Sequence, residues 1–402
     1  MTSSAKRHDA VDTGFLLLSL AATLTTLSVA VVSTIVAISD SLQGRAQPAG
    51  LERWISVAMA FLSLIGFYAI YHSGRRLFQQ VRPDFSRPTR LSLLTLIAFP
   101  IGLLMVYLGY ERGILPGLLI PLGHLMTTVT PVLAAALTAR WLGPLISRRR
   151  ALGQFLLGVW AAPLMALALE GAALLPISLF IGLGVSADPR GMRLLESLQG
   201  STSIPFNIPG DLLTQVFLQP WILLMAVMFL SVIVPLIEEA IKTVGIWPLI
   251  GRTITPGEAF LSGALSGSGY ALFEALLLTQ PGESWLPLLV ARGGASLMHA
   301  FTGAIGTWGV TQGIYRRKWA SMALGFFGAV AVHGLWNVAA TGISLGEILA
   351  SPEPWNPWRE GTGYLTNFSM TVVAGLVCLA VLGLIGISLR LRAPGDAQDP
   401  SI

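Results

Sequence analysis

Ten stretches of this chain run for about 20 residues or more with almost no charge, and no other feature limits its fold so strongly. They lie at about 14–38, 54–73, 91–110, 116–140, 151–184, 217–250, 258–280, 286–313, 320–345 and 366–390. A helix needs about 20 apolar residues to cross the hydrocarbon core of a bilayer. In lipid every backbone N–H and C=O must be satisfied within the chain, which leaves helices as the spanning form for runs of this length. The expected fold is therefore all-α, a polytopic transmembrane helix bundle of about ten spans. Composition agrees: 53% of the 402 residues are hydrophobic and 11% are charged, where soluble proteins carry about 25% charge. A disordered chain, a nucleic-acid-binding domain and an ordinary soluble enzyme are excluded. The single cysteine, Cys378, sits inside an apolar run, so neither a disulfide scaffold nor a cysteine metal cluster can form.

The first run follows Lys6 and Arg7, but its length exceeds the roughly 7–15 apolar residues of a signal peptide, and it is expected to remain as a helix. The runs at 151–184 and 217–250 are too long for one straight crossing. They contain Pro163 and Pro176, and Pro220, Pro235 and Pro248, which predicts kinks or interfacial extensions. Basic residues set orientation. With ten spans and the N-terminus in the cytoplasm, 17 Lys and Arg fall in inner segments and seven in outer ones. That bias places both termini inside.

The chain is expected to divide into N-terminal helices at 1–215, with a large outer loop at 185–216, a C-terminal core at 216–392, and a cytoplasmic tail at 393–402. Residues 346–365, with Pro352, Pro354, Pro357, Trp355 and Trp358, read as an outer interfacial segment. Of the 25 basic residues 22 are arginine. This usage suggests a GC-rich bacterial genome, hence a multi-pass protein of the bacterial inner (plasma) membrane, with the lipid bilayer and not nucleic acid as its surroundings.

Charge inside a membrane costs at least ~2.5–3.5 kcal/mol per group on insertion scales, so intramembrane ionisable residues point to function. They concentrate in four consecutive spans of the C-terminal half. The sixth span carries Glu238, Glu239 and Lys242. Glu238 and Lys242, four apart, share a face and can pair. Glu239 is rotated by about 100°. The seventh carries Gly263 and Gly267, a small-residue face suited to close helix approach, and beyond them Tyr270 and Glu274. The eighth carries Arg292 and His299, seven apart, with Thr302 and Gly303 continuing the His299 face. The ninth carries His333 and Asn337, four apart. Counted from the span ends, both histidines and the Glu pair fall at about the same depth, so they can meet if spans 6, 8 and 9 pack together. His8, His72 and His124 lie elsewhere and read as structural or solvated.

Glu-Glu-x-x-Lys at 238–242, Gly-x-Gly-Tyr-Ala-x-x-Glu at 267–274, His299 followed by Thr302-Gly303, and His-x-x-Trp-Asn at 333–337 follow one another on four successive helices. In that order they resemble the PrsW-type intramembrane proteases, which are similar to a wider group of CAAX-prenyl endopeptidases and bacteriocin-processing enzymes. The resemblance covers about residues 230–340. It departs from the wider group at Lys242, where an arginine is usual, and at Glu274, where a histidine is. It implies an endopeptidase acting on membrane proteins, with single-span ones such as an anti-sigma factor or another signalling protein as the expected substrates.

The chemistry is compatible. Peptide hydrolysis needs an activated water, oxyanion stabilisation and a proton for the leaving amine, and a carboxylate in an apolar cavity can act as base and then acid. In this reading Glu238 or Glu239, helped by His299, activates water, and His333 and Asn337 polarise the scissile carbonyl. Lys242, Glu274 and Arg292 support them. No cofactor is required. Zinc is an alternative, with Glu239, His299 and His333 as its ligand set, although no His-Glu-x-x-His occurs. Two rival functions use the same residues. One is a proton-coupled transporter, against which the absence of a visible inverted repeat argues. The other is a non-catalytic scaffold of the same fold.

Overall fold

A computed structural model describes residues 3–43, 51–79, 95–199, 218–249, 253–277, 285–349 and 361–392. Within these the chain is helical, and nine helices are long and apolar enough to cross a membrane. The α-helices in chain order are α1 (Ser3–Leu42), α2 (Leu51–Gln79), α3 (Thr95–Tyr110), α4 (Pro116–Leu142), α5 (Arg148–Leu156), α6 (Ala162–Ala187), α7 (Pro189–Gln199), α8 (Pro220–Met228), α9 (Val234–Lys242), α10 (Pro256–Leu277), α11 (Trp285–Arg316), α12 (Trp319–Leu349) and α13 (Thr362–Leu391); α5 with α6, and α8 with α9, each make one span. A π-turn, Leu157–Ala161, joins α5 to α6, and another, Phe229–Ile233, joins α8 to α9. The protein is thus an all-α, multi-pass membrane protein, as the apolar runs require.

The third run differs from expectation. Its apolar helix is Ile97–Tyr110, about 21 Å at 1.5 Å per residue against a core of about 30 Å. The start of that run, 91–94, lies outside the described residues. The 185–216 segment, expected as a loop, carries the polar helix α7; residues 200–216, like most of 346–365 and the tail from 393, lie outside the described residues.

The two long runs distort where proline predicts, and the distortion is a π-turn in both. Each turn ends two residues before its proline: Ala161 before Pro163, and Ile233 before Pro235. In the second, the Val234 N–H donates to the Phe229 carbonyl, five residues back. The next carbonyl in that register, Leu230, would need a donor from Pro235, which has no N–H.

The helices form two compact units that interleave along the chain. One comprises Met1–Pro163, Glu239–Ala329 and Ala374–Ile402; the other comprises Leu164–Glu238 and Val330–Val373. In the first unit α10 is the innermost helix, with 83% of its central window buried, so it faces protein on all sides despite being apolar enough to face lipid. Small residues allow this. A Cβ on Gly263 would collide with the Gly303 carbonyl, and one on Gly267 with the His299 carbonyl, so α10 and α11 touch backbone to backbone. Phe260, Leu261, Ala264 and Leu265 pack with Ala300, Phe301 and Ala304 in one cluster, which Ala135, Ala136 and Ala139 of α4 join. In the second unit α6 exposes Leu164, Leu167, Leu175, Leu179 and Phe180, the outward apolar face expected of a lipid-facing helix.

Candidate functional site: a buried network of acids, lysine and histidine

Lys242 ends α9, and its side chain is fully buried. Its Nζ lies 2.7 Å from Glu239 Oε1 and 2.7 Å from His299 Nδ1. The ring of Tyr270 faces the same ammonium, 4.7 Å from centroid to Nζ, adding a cation–π contact in a dry setting. Glu239 Oε1 also accepts a hydrogen bond from Thr302 Oγ1 at 2.9 Å. On the far side of His299, Nε2 lies 2.8 Å from Glu274 Oε2, and Arg292 Nη1 approaches the same oxygen at 3.5 Å.

These contacts fix the state of His299. An ammonium can only donate, so Nδ1 accepts from Lys242, and Nε2 carries the proton and donates to Glu274. The network reads Glu239, Lys242, His299, Glu274, Arg292, with two carboxylates balancing one ammonium and one guanidinium. That balance is what allows Lys242 and Glu239 to be buried at all: an isolated buried ion costs several kcal/mol, about as much as its pairing can return.

The second unit holds its own pair. His333 Nε2 lies 3.8 Å from Glu238 Oε2, and both residues are buried. The π-turn before Pro235 positions them. Asn337, one turn beyond His333 on α12, donates through Nδ2 to the Leu230 carbonyl at 2.7 Å, the carbonyl that Pro235 leaves without a backbone donor. Gly334 admits the Ser231 carbonyl, which a Cβ there would meet. Asn337 and Gly334 therefore seat α12 on the distorted helix that carries Glu238. The boundary between the units falls at the peptide bond between Glu238 and Glu239, so the two adjacent carboxylates belong to different units.

The partners of the expected site residues differ from expectation at two points. Lys242 pairs with Glu239 rather than Glu238, because Thr302 and His299 of α11 gather on the Glu239 side. One of the two N–H donors of Asn337 is committed to Leu230. Arg292 and His299 do share a face, and Glu274 is what they share. The sequence reading assigned no role to Tyr270 or Thr302, though both stand in the motifs, and it left the partner of Glu274 undetermined. Spacing of seven between Arg292 and His299, with an acid on the neighbouring helix, was the signal available.

A divalent cation would meet Glu239 and His299 only where the Lys242 ammonium now lies. Glu239 and His299 converge on a cation, here an ammonium, and the second ring nitrogen of His299 rests on a carboxylate, the arrangement that metal-binding imidazoles use to fix their tautomer.

A multi-pass helical membrane protein with a charge-balanced acid–histidine network in its core is the class these features define. More particularly, residues 200–377, a little under half of the chain, match the family model described as PrsW family intramembrane metalloprotease. The match includes both glutamates, Lys242, Glu274, both histidines and Asn337. No curated protein and no solved structure matches the chain.

Proposed function

We propose that this protein is an intramembrane endopeptidase that hydrolyses peptide bonds of membrane-protein substrates, with Glu238 as the base. The observation that carries the proposal is the buried Glu239–Lys242–His299–Glu274 network inside the segment that matches the protease family. Glu239 is paired with an ammonium and held by Thr302, so it anchors the network. Glu238 is the other carboxylate at this level and faces His333. In the reaction Glu238 takes a proton from the attacking water. His333, with the second N–H of Asn337, stabilises the oxyanion. The proton held by Glu238 then passes to the departing amine as the C–N bond breaks.

Zinc, were it bound, would be held by Glu239, His299 and His333, one carboxylate and two imidazoles, a donor set usual for catalytic zinc, with His333 then a ligand in place of an oxyanion donor and Glu238 still the base. A zinc ion bound there supplies Lewis acidity toward water and the scissile carbonyl. His299 would turn Nδ1, which here faces the Lys242 ammonium, to the ion while Glu274 holds Nε2. Glu274→Gln is accordingly expected to weaken zinc affinity about 10–100-fold. Titration of the purified chain against a chelator of known zinc affinity measures this, and equal affinity in both proteins rejects the ligand set.

The substrates we propose are single-span membrane proteins, including anti-sigma or other signalling proteins. The setting we propose is a bacterial inner membrane, with both termini in the cytoplasm. The function is tested by comparing protein N-termini across the host membrane proteome between strains expressing wild type or the Glu238→Ala, Glu239→Ala double variant at equal levels. New termini within or beside transmembrane segments, present only with wild type, are expected. Identical profiles under several stresses refute proteolysis and return the transporter reading.

A further inference from the structure

Peptide hydrolysis consumes water, and the Glu239–Lys242–His299 network is buried in an apolar bundle. A row of polar side chains on α10 leads to it. Glu258, Ser262, Ser266, Tyr270 and Glu274 are each four residues apart, so each neighbours the next along the helix surface. A four-residue step turns about 40° around a helix, and the three steps from Ser262 to Glu274 carry the row about 120° around α10. It leaves the side of α5, where Gln154 donates to Ser262 Oγ at 2.6 Å. It reaches the side of α11, where Glu274 meets His299 at 2.8 Å. The row begins at the surface: Glu258 pairs with Arg150 at 2.6 Å, and their side chains are 20% and 23% exposed. From Glu258 to Tyr270 it runs about 18 Å at 1.5 Å per residue. All of these residues belong to the first unit.

Midway along the row, two polar atoms call for a ligand. Ser266 is 0% and Gln154 3% exposed, and neither Ser266 Oγ nor Gln154 Oε1 has a hydrogen-bond partner among the described residues. Ser262 and Ser268 on the same helix donate to the carbonyls of Glu258 and Ala264; Ser266 makes no such bond. Ser262 gives its one proton to Glu258, so it accepts from Gln154, which fixes the amide with Nε2 used and Oε1 left as an acceptor. Beside Ser266 stands Gly245 of the 3-10 turn Thr243–Leu249, which directly follows Lys242. A Cβ on Gly245 would lie 3.1 Å from both Ser266 Cβ and the Ser262 carbonyl oxygen. The π-turn Leu157–Ala161 packs on the same stretch, with Gly158 against the Ser266 carbonyl. Between backbones this close, the molecule that can both donate to an amide oxygen and bond a hydroxyl is water, which settles where buried polar groups lack partners.

We propose that this seam is a hydration path. Water enters beside Arg150 and Glu258, is held by Gln154 and Ser266, and passes Tyr270 to the Lys242–His299 network. The proposal rests on the reading of that network as a site of hydrolysis. One water is consumed for each peptide bond broken, and no other reactant is needed. Gln154 and Ser266 are positioning residues, acting through the water they keep in reach.

Cysteine accessibility of the full chain in detergent tests this, with the native thiol removed by Cys378→Ser. Silver ion, comparable to water in size, is the probe, and remaining thiols are titrated after denaturation. Ser266→Cys exchanges one atom and should lose its thiol at least about tenfold faster than Ser268→Cys, since a cysteine sealed in an apolar core is inert. Both positions are fully buried and point about 200° apart on α10, so the difference reports water and not exposure. Adding Gly245→Ala, whose methyl group presses on Ser266, should slow the labelling of Ser266→Cys. In the otherwise wild-type chain Gly245→Ala should lower kcat with KM unchanged. Equal labelling at the two positions, or labelling of Ser266→Cys that Gly245→Ala does not slow, overturns the proposal. Labelling needs no substrate, so the two readings fail separately. A labelled protein that cleaves nothing refutes hydrolysis and leaves the path; an unlabelled protein that cleaves refutes the path and leaves hydrolysis.

Discussion

Glu238→Gln is expected to lower the cleavage rate about 10²–10⁴-fold, the usual contribution of a positioned base, with little change in stability. The substitution is isosteric. Within its own unit Glu238 faces His333 at 3.8 Å, and the amide keeps the side chain's size and one hydrogen-bonding oxygen there. Glu239→Gln should behave in the opposite way. It removes the carboxylate that sits 2.7 Å from a fully buried ammonium and should unfold the protein more readily as well as slow it. The pair of variants thus assigns the two adjacent acids by different readouts, turnover on a reconstituted substrate for one and resistance to denaturation for the other. Wild-type turnover by Glu238→Gln would remove Glu238 from the reaction and transfer the role of base to Glu239.

Much of this organisation was legible in the sequence. Apolar run length marked the spans, because hydrocarbon thickness is a fixed ruler. Pro163 and Pro235 marked the distortions, because a missing N–H must disturb a helix wherever it falls. Gly263 and Gly267 marked the backbone contact of α10 with α11. What was not legible depends on contacts between helices. Residues three and four apart are equally near on a helix, so the sequence alone does not choose between Glu238 and Glu239 as the partner of Lys242. Thr302 and His299 of α11 decide it. The task of Asn337 was hidden for a related reason. It follows from the orphaned Leu230 carbonyl, which exists only once the helix before Pro235 adopts a π-turn.

Lys242→Met should produce the largest loss of stability of any single substitution in the core, about 3–5 kcal/mol, because it leaves Glu239 charged and buried without its ammonium. Methionine keeps most of the lysine's volume and apolar stem, so the effect reports charge and not a cavity. It also removes the donor to His299 Nδ1 and the cation above Tyr270. Thr302 remains as a hydrogen-bond donor to Glu239, but a neutral hydroxyl does not balance a carboxylate. A second substitution separates these effects. Replacing the pair together, Lys242→Met with Glu239→Gln, removes both charges, and buried ion pairs exchanged for neutral groups are often near neutral in stability. The double variant should therefore recover most of what the single one loses, and a thermodynamic cycle over unfolding in mixed micelles reads the coupling directly. A Lys242→Met protein within about 0.5 kcal/mol of wild type, the scatter of ordinary surface substitutions, would mean that Glu239 does not depend on this ammonium. The assignment of Glu239 as anchor and Glu238 as base would then lose its physical basis.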